Sequence, residues 1–138
     1  MSSTIEIKQL TPREFVPFLE SNELVLVDFW AEWCAPCHGQ TEILEEEGHL
    51  LLEKFPTLKI AKFNTSEDVD PNEVEIKRKI KTDLNIQYIP TIIISYQNII
   101  GIMDSGVQDI KDIVKFITGF QKHLKKKYGD KISAKKTQ

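Results

Sequence analysis

Short apolar runs with the period of a strand alternate along the chain with longer segments that have the period of a helix. Apolar and polar residues alternate over residues 4–10, and residues 24–30 form a nearly continuous apolar run, as in a strand covered on both faces. Strands are predicted at residues 4–10, 24–30, 58–63, 91–96 and 99–103. Helices are predicted after Thr11, over residues 34–55, from Asp70 onward and over residues 110–124. Strands alternate with helices up to a closing hairpin, which predicts an α/β fold with a mixed central β-sheet flanked by helices on both faces.

Local signals mark two helix starts and one turn. Thr11-Pro12-Arg13-Glu14 places a capping threonine, a first-turn proline and a glutamate at the third helical position, and Asp70-Pro71-Asn72-Glu73 repeats this pattern. Gln97 and Asn98 separate the last two predicted strands. Because asparagine tolerates a positive φ, this pair is expected to form the hairpin turn.

The length of the chain, 138 residues, suits one domain with one core. We expect residues 1–124 to form that domain. Residues 122–138 contain seven lysines and one aspartate, a net charge of +6, whereas the rest of the chain carries −9 of the overall −3. Residues 125–138 are therefore predicted to be a basic, disordered tail. Since Tyr128 is the only aromatic residue among these lysines, no binding to nucleic acid is expected.

The start of the sequence and the length of its apolar runs bear on location. Residues 1–7 lack the basic and apolar regions of a secretory signal. The longest apolar runs, about four residues, are far shorter than the roughly 18 residues that a membrane span needs. We therefore expect a cytoplasmic protein without membrane contact. In a reducing cytosol, two neighbouring cysteines are expected to be catalytic or metal-binding rather than a structural disulfide.

Both cysteines lie in one segment, Cys34-Ala35-Pro36-Cys37, directly after a predicted strand. If Cys34 begins a helix, Cys37 follows one turn later on the same side, within reach of a mixed disulfide on Cys34. The helix start also supplies unpaired N–H groups and the positive end of the helix dipole, which favour a thiolate at Cys34. Pro36 is compatible with a first helical turn. We interpret the pair as a redox dithiol with Cys34 as the nucleophile and Cys37 as the resolving thiol.

Two other interpretations of the cysteine pair, a zinc site and covalent haem attachment, compete with the redox one. A zinc site would need His38 with His49 or His123, whereas structural zinc normally takes four ligands, often from two CXXC pairs. Covalent haem attachment is suggested by the CXXCH spacing that includes His38, but it generally requires an exported chain. The redox interpretation is favoured, and neither a metal nor a bound cofactor is expected.

Asp28 is the only acidic residue in the apolar run before the cysteines. Burial in that strand would raise the pKa of its carboxyl, which suits a general base or proton relay for the resolving thiol. The alternative is an acid at the end of a strand that reaches solvent.

Two segments resemble signatures of the thioredoxin family. The run from Asp28 to Trp33 with the following CXXC resembles the active-site segment, and Tyr88-Ile89-Pro90-Thr91 resembles the second signature, a cis-proline that faces the dithiol. The resemblance covers roughly residues 5–121. It implies a thioredoxin fold and a protein-disulfide reductase that acts through a mixed disulfide on Cys34. It further implies disulfide-containing protein substrates, an electron donor of the thioredoxin-reductase type, no bound cofactor and a monomer.

The same resemblance implies roles for residues outside the dithiol. Asp28 matches the family's aspartate and Lys62 its lysine, and both are expected to manage the proton of the resolving thiol. A cis bond before Pro90 would turn the backbone of Ile89 towards the dithiol, where it can pair with an extended substrate segment. The residues expected to contact substrate are Trp33, Ala35, Pro36, Ile89, Pro90 and Gly106.

Several positions depart from the usual thioredoxin pattern. Glu42 replaces the proline found five residues after the second cysteine, and His38 and Gly39 replace a basic and a bulky apolar residue. His38 is either a cation that helps to hold a thiolate or a surface side chain. Residues 64–89 exceed the usual length by roughly one or two helical turns. This longer stretch and the basic tail leave a second function open: an adaptor or redox sensor of thioredoxin fold whose dithiol is not used for turnover.

Overall fold

The computed structural model describes residues 4–67 and 71–129. Along these residues the elements are β1 (Lys8–Leu10), α1 (Pro12–Ser21), β2 (Leu24–Trp30), α2 (Ala35–Lys54), β3 (Leu58–Asn64), α3 (Pro71–Asp83), β4 (Thr91–Tyr96), β5 (Ile99–Ile102) and α4 (Ile110–Tyr128). The strand order in the sheet is β1-β3-β2-β4-β5. β3 pairs in parallel with β1 and β2, whereas β4 pairs antiparallel with β2 and β5. The predicted mixed sheet is confirmed.

The central strand β2 is buried on both faces, as its apolar run predicts. On one face Leu26 belongs to a cluster with Leu44 of α2 and with residues of α4. On the other face Phe29 packs against Phe15 of α1, with 5.9 Å between ring centroids, in a cluster that α3 also joins. Helices therefore cover both faces of the sheet.

Helix α1 begins at the capping pattern found in the sequence. The Thr11 hydroxyl accepts a hydrogen bond from the Glu14 N–H at 3.2 Å, and the Glu14 carboxylate accepts one from the Thr11 N–H at 3.0 Å. This reciprocal capping box satisfies two N–H groups that a helix start otherwise leaves unpaired. The sequence predicts the same kind of cap for α3, but its capping residue, Asp70, lies outside the described residues.

The hairpin between β4 and β5 turns at the predicted pair. Gln97 and Asn98 have φ angles of 52° and 63°. Two successive positive φ angles match the twist of the flanking strands, which is why short hairpins favour this turn.

Two predicted boundaries need correction. β1 begins at Lys8 rather than at residue 4 and pairs with Ala61, Lys62 and Phe63. Before it, the Ile5 N–H donates to the Glu45 carbonyl of α2 at 2.9 Å, so this part of the chain bonds to the helix rather than to β3. α4 continues to Tyr128, so residues 125–128 are helical and not part of a disordered tail. Leu124 is buried in the core, which anchors the last turns of this helix. Gly129 follows as the C-cap of α4, and residues 130–138 of the predicted tail lie outside the described residues. Among the described residues, no helix is both long and apolar enough to cross a membrane.

Candidate active site

The cysteine pair lies where β2 passes into α2. Cys34 caps α2, and its sulfur accepts a hydrogen bond from the Cys37 N–H at 3.3 Å. The sulfur thus takes the place of a capping oxygen, next to the positive end of the helix dipole. Pro36 lies in the first turn, where its missing N–H removes no helical hydrogen bond. The predicted helix start at Cys34 is confirmed.

The two cysteines form a disulfide in this structure and differ in access to solvent. Cys34 is 5% exposed and Cys37 is fully buried. Both belong to a small apolar cluster with Ala31, against which Trp30 and Ile89 pack. An incoming group can therefore reach only the sulfur of Cys34.

The second signature lies directly opposite the dithiol. The Ile89–Pro90 peptide bond is cis, and the Ile89 carbonyl oxygen is 3.9 Å from the Cys34 sulfur. The Gly106 N–H donates to the Pro90 carbonyl at 2.8 Å, and Gly106 has a φ of 113°, which side-chain-bearing residues rarely adopt. The structure thus places the Ile89 carbonyl against the Cys34 sulfur and holds Gly106 on Pro90, the next residue.

Exposed apolar side chains surround this point. Trp33 is 75% exposed, and Ala35 and Pro36 are also exposed. Tyr88 is 70% exposed and directly precedes the Ile89–Pro90 bond, although it was not among the predicted site residues. Its position directly before the Ile89–Pro90 bond is the signal that could have identified it.

Asp28 is fully buried on β2. Burial raises the pKa of its carboxyl to about 7, against the smaller opposing effects of a hydrogen bond from Thr41 and the charge of Lys62. The Thr41 hydroxyl donates to Asp28 Oδ2 at 3.4 Å, while Oδ1 is buried and has no hydrogen-bond partner among the described residues. The sequence-based expectation of a buried acid with a raised pKa agrees with this geometry, and the alternative of a solvent-reaching acid does not.

Lys62 lies on β3 directly beside Asp28 in the parallel register. Its ammonium group is 5.0 Å from the centroid of the Trp30 ring, within the range of a cation–π interaction. Lys62 therefore acts on the pKa of Asp28 through its charge, from a position over the indole ring.

The profile of the thioredoxin family matches residues 6–119. This chain belongs to the thioredoxin family. It carries the CXXC dithiol of that family and is a thiol–disulfide oxidoreductase.

Curated relatives belong to the same family, and a solved structure has the same fold. The chain is 42% identical to the thioredoxin of Rickettsia felis over 76 residues, which are 55% of this chain and 61% of that protein. It is 35% identical to the thioredoxin of Griffithsia pacifica over 107 residues, 78% of this chain and 84% of that protein. Its fold is similar to that of spinach chloroplast thioredoxin f, short form, with a TM-score of 0.64 and 17% identity over 86% of this chain and 96% of that one.

His38, Gly39 and Glu42, which depart from the usual thioredoxin pattern, all lie on α2, and this helix is continuous. α2 runs from Ala35 to Lys54 through Gly39 and Glu42. His38 is exposed, with Nε2 2.7 Å from the Glu32 carbonyl oxygen and its ring 6.3 Å from that of Trp30. These contacts place His38 on the surface beside the β2–α2 junction.

Gln40 is a buried residue that the sequence analysis did not identify. Its side-chain amide donates to the Gln108 carbonyl at 3.0 Å, and its side-chain oxygen accepts from the Gln108 N–H at 2.6 Å. The Gln108 side chain in turn donates to the Asp104 carbonyl at 2.9 Å. These bonds tie the loop that carries Gly106 to the helix that carries the dithiol. Only the folded chain shows this link, because residues 40 and 108 are far apart in sequence.

The metal alternative finds no support in the geometry. Among the described residues, no three or more His, Cys, Asp or Glu side chains form a group that could hold a metal ion. The zinc interpretation requires His38 with His49 or His123 beside the cysteines, and that grouping is not formed.

Replacing Thr41 by valine is expected to raise the pKa of Asp28 further, by roughly one pH unit, because a hydrogen bond to the ionised carboxylate is lost. The titration of the Asp28 carboxyl carbon, followed by NMR, measures this directly. Thr41→Ser keeps the hydroxyl and should titrate close to the unmodified protein. Equal titrations for the valine and serine variants would contradict a role of the hydroxyl.

Proposed function

We propose that this thioredoxin reduces disulfide bonds in other proteins through a mixed disulfide on Cys34. The observation that supports this most is the position of the Cys34 sulfur. It caps α2, accepts a hydrogen bond from the Cys37 N–H and lies 3.9 Å from the Ile89 carbonyl beside the cis-proline.

The first step uses the reduced form of the protein. The Cys34 thiolate attacks one sulfur of the substrate disulfide, forms a mixed disulfide and releases the other substrate sulfur as a thiolate. The Cys37 N–H and the dipole of α2 stabilise the attacking thiolate. Cys34 is the attacking residue because Cys37 is fully buried.

The second step releases the substrate. The Cys37 thiolate attacks the Cys34 sulfur and displaces the second substrate thiolate, so two electrons pass to the substrate and the protein ends with the Cys34–Cys37 disulfide seen in this structure. An electron donor of the thioredoxin-reductase type then restores the dithiol. No bound cofactor takes part in either step.

Asp28 accepts the proton of Cys37. Cys37 and Thr41 are one turn apart on the same face of α2, and the Thr41 hydroxyl bonds to Asp28, so this carboxyl lies beneath the dithiol end of the helix. A pKa of about 7 suits a group that must both take and return a proton near neutral pH. Lys62 favours the ionised form through its charge.

The substrate lies as an extended segment against the backbone of Ile89. Exposed Trp33, Ala35 and Pro36 flank it on the dithiol side, and the Gly106 turn flanks it on the other side. We propose that the protein is a monomer in the cytoplasm. This compartment is reducing, so the disulfide can be reduced back to the dithiol after each reaction.

Reduction of insulin by dithiothreitol, followed as turbidity, tests the proposed activity. We expect catalysis by the purified protein, together with a reduction potential for Cys34/Cys37 at or below the cytosolic glutathione poise, about −220 mV or lower. Trp30 and Trp33 lie beside the pair and allow the potential to be followed by fluorescence. A much more oxidising potential would instead favour an oxidase or isomerase, and no reversible couple would favour the adaptor function.

A further inference from the structure

A cleft of about 350 Å³ opens next to the second signature. One wall is the segment 84–88, which follows α3, and the other is formed by residues 102–105 at the end of β5. Tyr88 and Thr91 line the cleft and also flank the Ile89–Pro90 bond. The cleft is therefore continuous with the surface that surrounds the dithiol.

The wall formed by residues 84–88 is fixed by the end of α3. Asn85 has a φ of 55°, and the Ile86 N–H donates back to the Lys81 carbonyl at 2.8 Å. This is the usual way in which a helix ends in a left-handed residue, and it redirects the chain sharply. At the other end of the segment, the Thr91 hydroxyl donates to the Tyr88 carbonyl at 2.6 Å. The wall is thus anchored at both ends.

The floor of the cleft continues the apolar core. Leu84, Ile86 and Ile100 pack against the buried cluster that includes Ile93. Ile102 pairs with Ile93 across the two strands and so lies on the same face of the sheet, yet it is 43% exposed. The core therefore reaches the surface at Ile102, inside the cleft.

The rim of the cleft differs in polarity from its floor. Asn85, Gln87 and Ser105 provide uncharged polar groups at the rim, and Asp104 is the one charged residue among those that line the cleft. An apolar floor below a polar rim suits a single apolar side chain on a backbone that stays at the surface. An acidic side chain in the cleft would be repelled by the carboxylate of Asp104.

We propose that this cleft is a specificity subsite that receives an aliphatic side chain from the substrate polypeptide, at a fixed distance from the cysteine that Cys34 attacks. Ile102 forms its floor and Tyr88 the wall next to the dithiol. The backbone pairing with Ile89 holds the substrate segment extended, so neighbouring side chains point to opposite sides and only one position along the segment faces the cleft. This inference rests on the proposed disulfide reduction.

A series of disulfide-containing peptides tests the subsite. Each peptide carries one leucine in an alanine background, one to four residues from the reacting cysteine on either side. For the unmodified protein, kcat/KM should be about tenfold higher for one leucine position than for the all-alanine peptide, as expected for burying about two of the additional carbon atoms of leucine. In Tyr88→Ala and in Ile102→Gln, the ratio between these two peptides should fall to about one. Because the ratio is taken within one variant, a general loss of activity cancels.

Leu50→Gln is the matched control, since Leu50 on α2 is also 43% exposed and does not line the cleft. It should keep the full preference for leucine. Equal ratios in the unmodified protein, Tyr88→Ala and Ile102→Gln would overturn the subsite while leaving disulfide reduction intact. If the unmodified protein reduces neither the peptides nor bis(2-hydroxyethyl) disulfide, the proposed function and the subsite are both overturned.

Discussion

Replacing Cys34 by serine should reduce disulfide turnover to the uncatalysed rate, whereas replacing Cys37 by serine should produce a protein that reacts once and stops. A serine at position 34 removes the only sulfur that an incoming disulfide can reach, since Cys37 is fully buried. A serine at position 37 leaves the attacking thiolate but removes the thiol that displaces the substrate. The measurement is insulin reduction for turnover and mass spectrometry under non-reducing conditions for the trapped mixed disulfide.

The two variants also separate the enzyme from an adaptor. Ala35 and Pro36, between the cysteines, are unchanged in both variants, so surface contacts with a partner should persist. Turnover by Cys34→Ser, or the absence of any trapped adduct on Cys37→Ser while Cys34 still reacts with iodoacetamide, would contradict the assigned order of attack. A Cys34→Ser/Cys37→Ser double variant that retains every cellular function of the protein would favour the adaptor.

The free energy of unfolding is expected to depend on pH through Asp28 more strongly than through any other described residue. Burial raises the pKa of this carboxyl from the ordinary 3.8 to about 7 in the folded protein. Between these two values the folded state holds a proton that the unfolded chain has lost, so stability falls as the pH rises through this window. The cost reaches about 4 kcal/mol above pH 7 and is absent below the pKa of the unfolded chain.

Asp28→Asn removes this titration and tests its size. From pH 5 to pH 8 the stability of the unmodified protein should fall relative to the variant by about 2.5 kcal/mol. At pH 8 the variant should be the more stable protein, although a buried amide that lacks a partner costs about 1–3 kcal/mol of the gain. Urea unfolding of the oxidised proteins at the two pH values measures the difference. Parallel stability curves for the two proteins would show that Asp28 titrates normally.

Asp28→Asn should also slow the release of substrate, because the amide cannot accept the proton of Cys37. The substitution Asp28→Asn is therefore expected to increase the free energy of unfolding at pH 8 and to slow the reaction. A catalytic role explains why an acid that lowers the stability of the fold is buried here. A position with a purely structural role would favour an uncharged side chain.

Local patterns in the sequence were sufficient for most of the fold. The apolar run of residues 24–30, the capping residues Thr11 and Glu14, and the turn at Gln97 and Asn98 each specify their structure through neighbouring residues alone. The two boundary errors have a different origin. The chain before β1 bonds to α2 instead of β3, through the Ile5 N–H and the Glu45 carbonyl, and the burial of Leu124 anchors the last turns of α4. Both depend on contacts with distant parts of the chain.

The candidate site divides in the same way. The spacing of Cys34 and Cys37 determines a helix-capping thiol and a second thiol one turn later, and the burial of Asp28 follows from its place in an apolar strand. The hydrogen bond of Thr41 to Asp28 and the position of Lys62 over Trp30 depend on how α2 and β3 lie against β2. No local pattern specifies such side-chain positions.

The succession of strands and helices along the chain, the dithiol at a helix start and the family signatures that point to disulfide exchange can all be read from the sequence. Three features depend on the packing of the folded domain: the Ile89 carbonyl faces the Cys34 sulfur, Gln40 holds the loop of Gly106, and a cleft opens beside Tyr88. The difference lies in the range of the interactions. Helix caps, turns and apolar periodicity act between residues a few positions apart, whereas these contacts join residues 55 and 68 positions apart, whose distance is set by the packing of the whole domain.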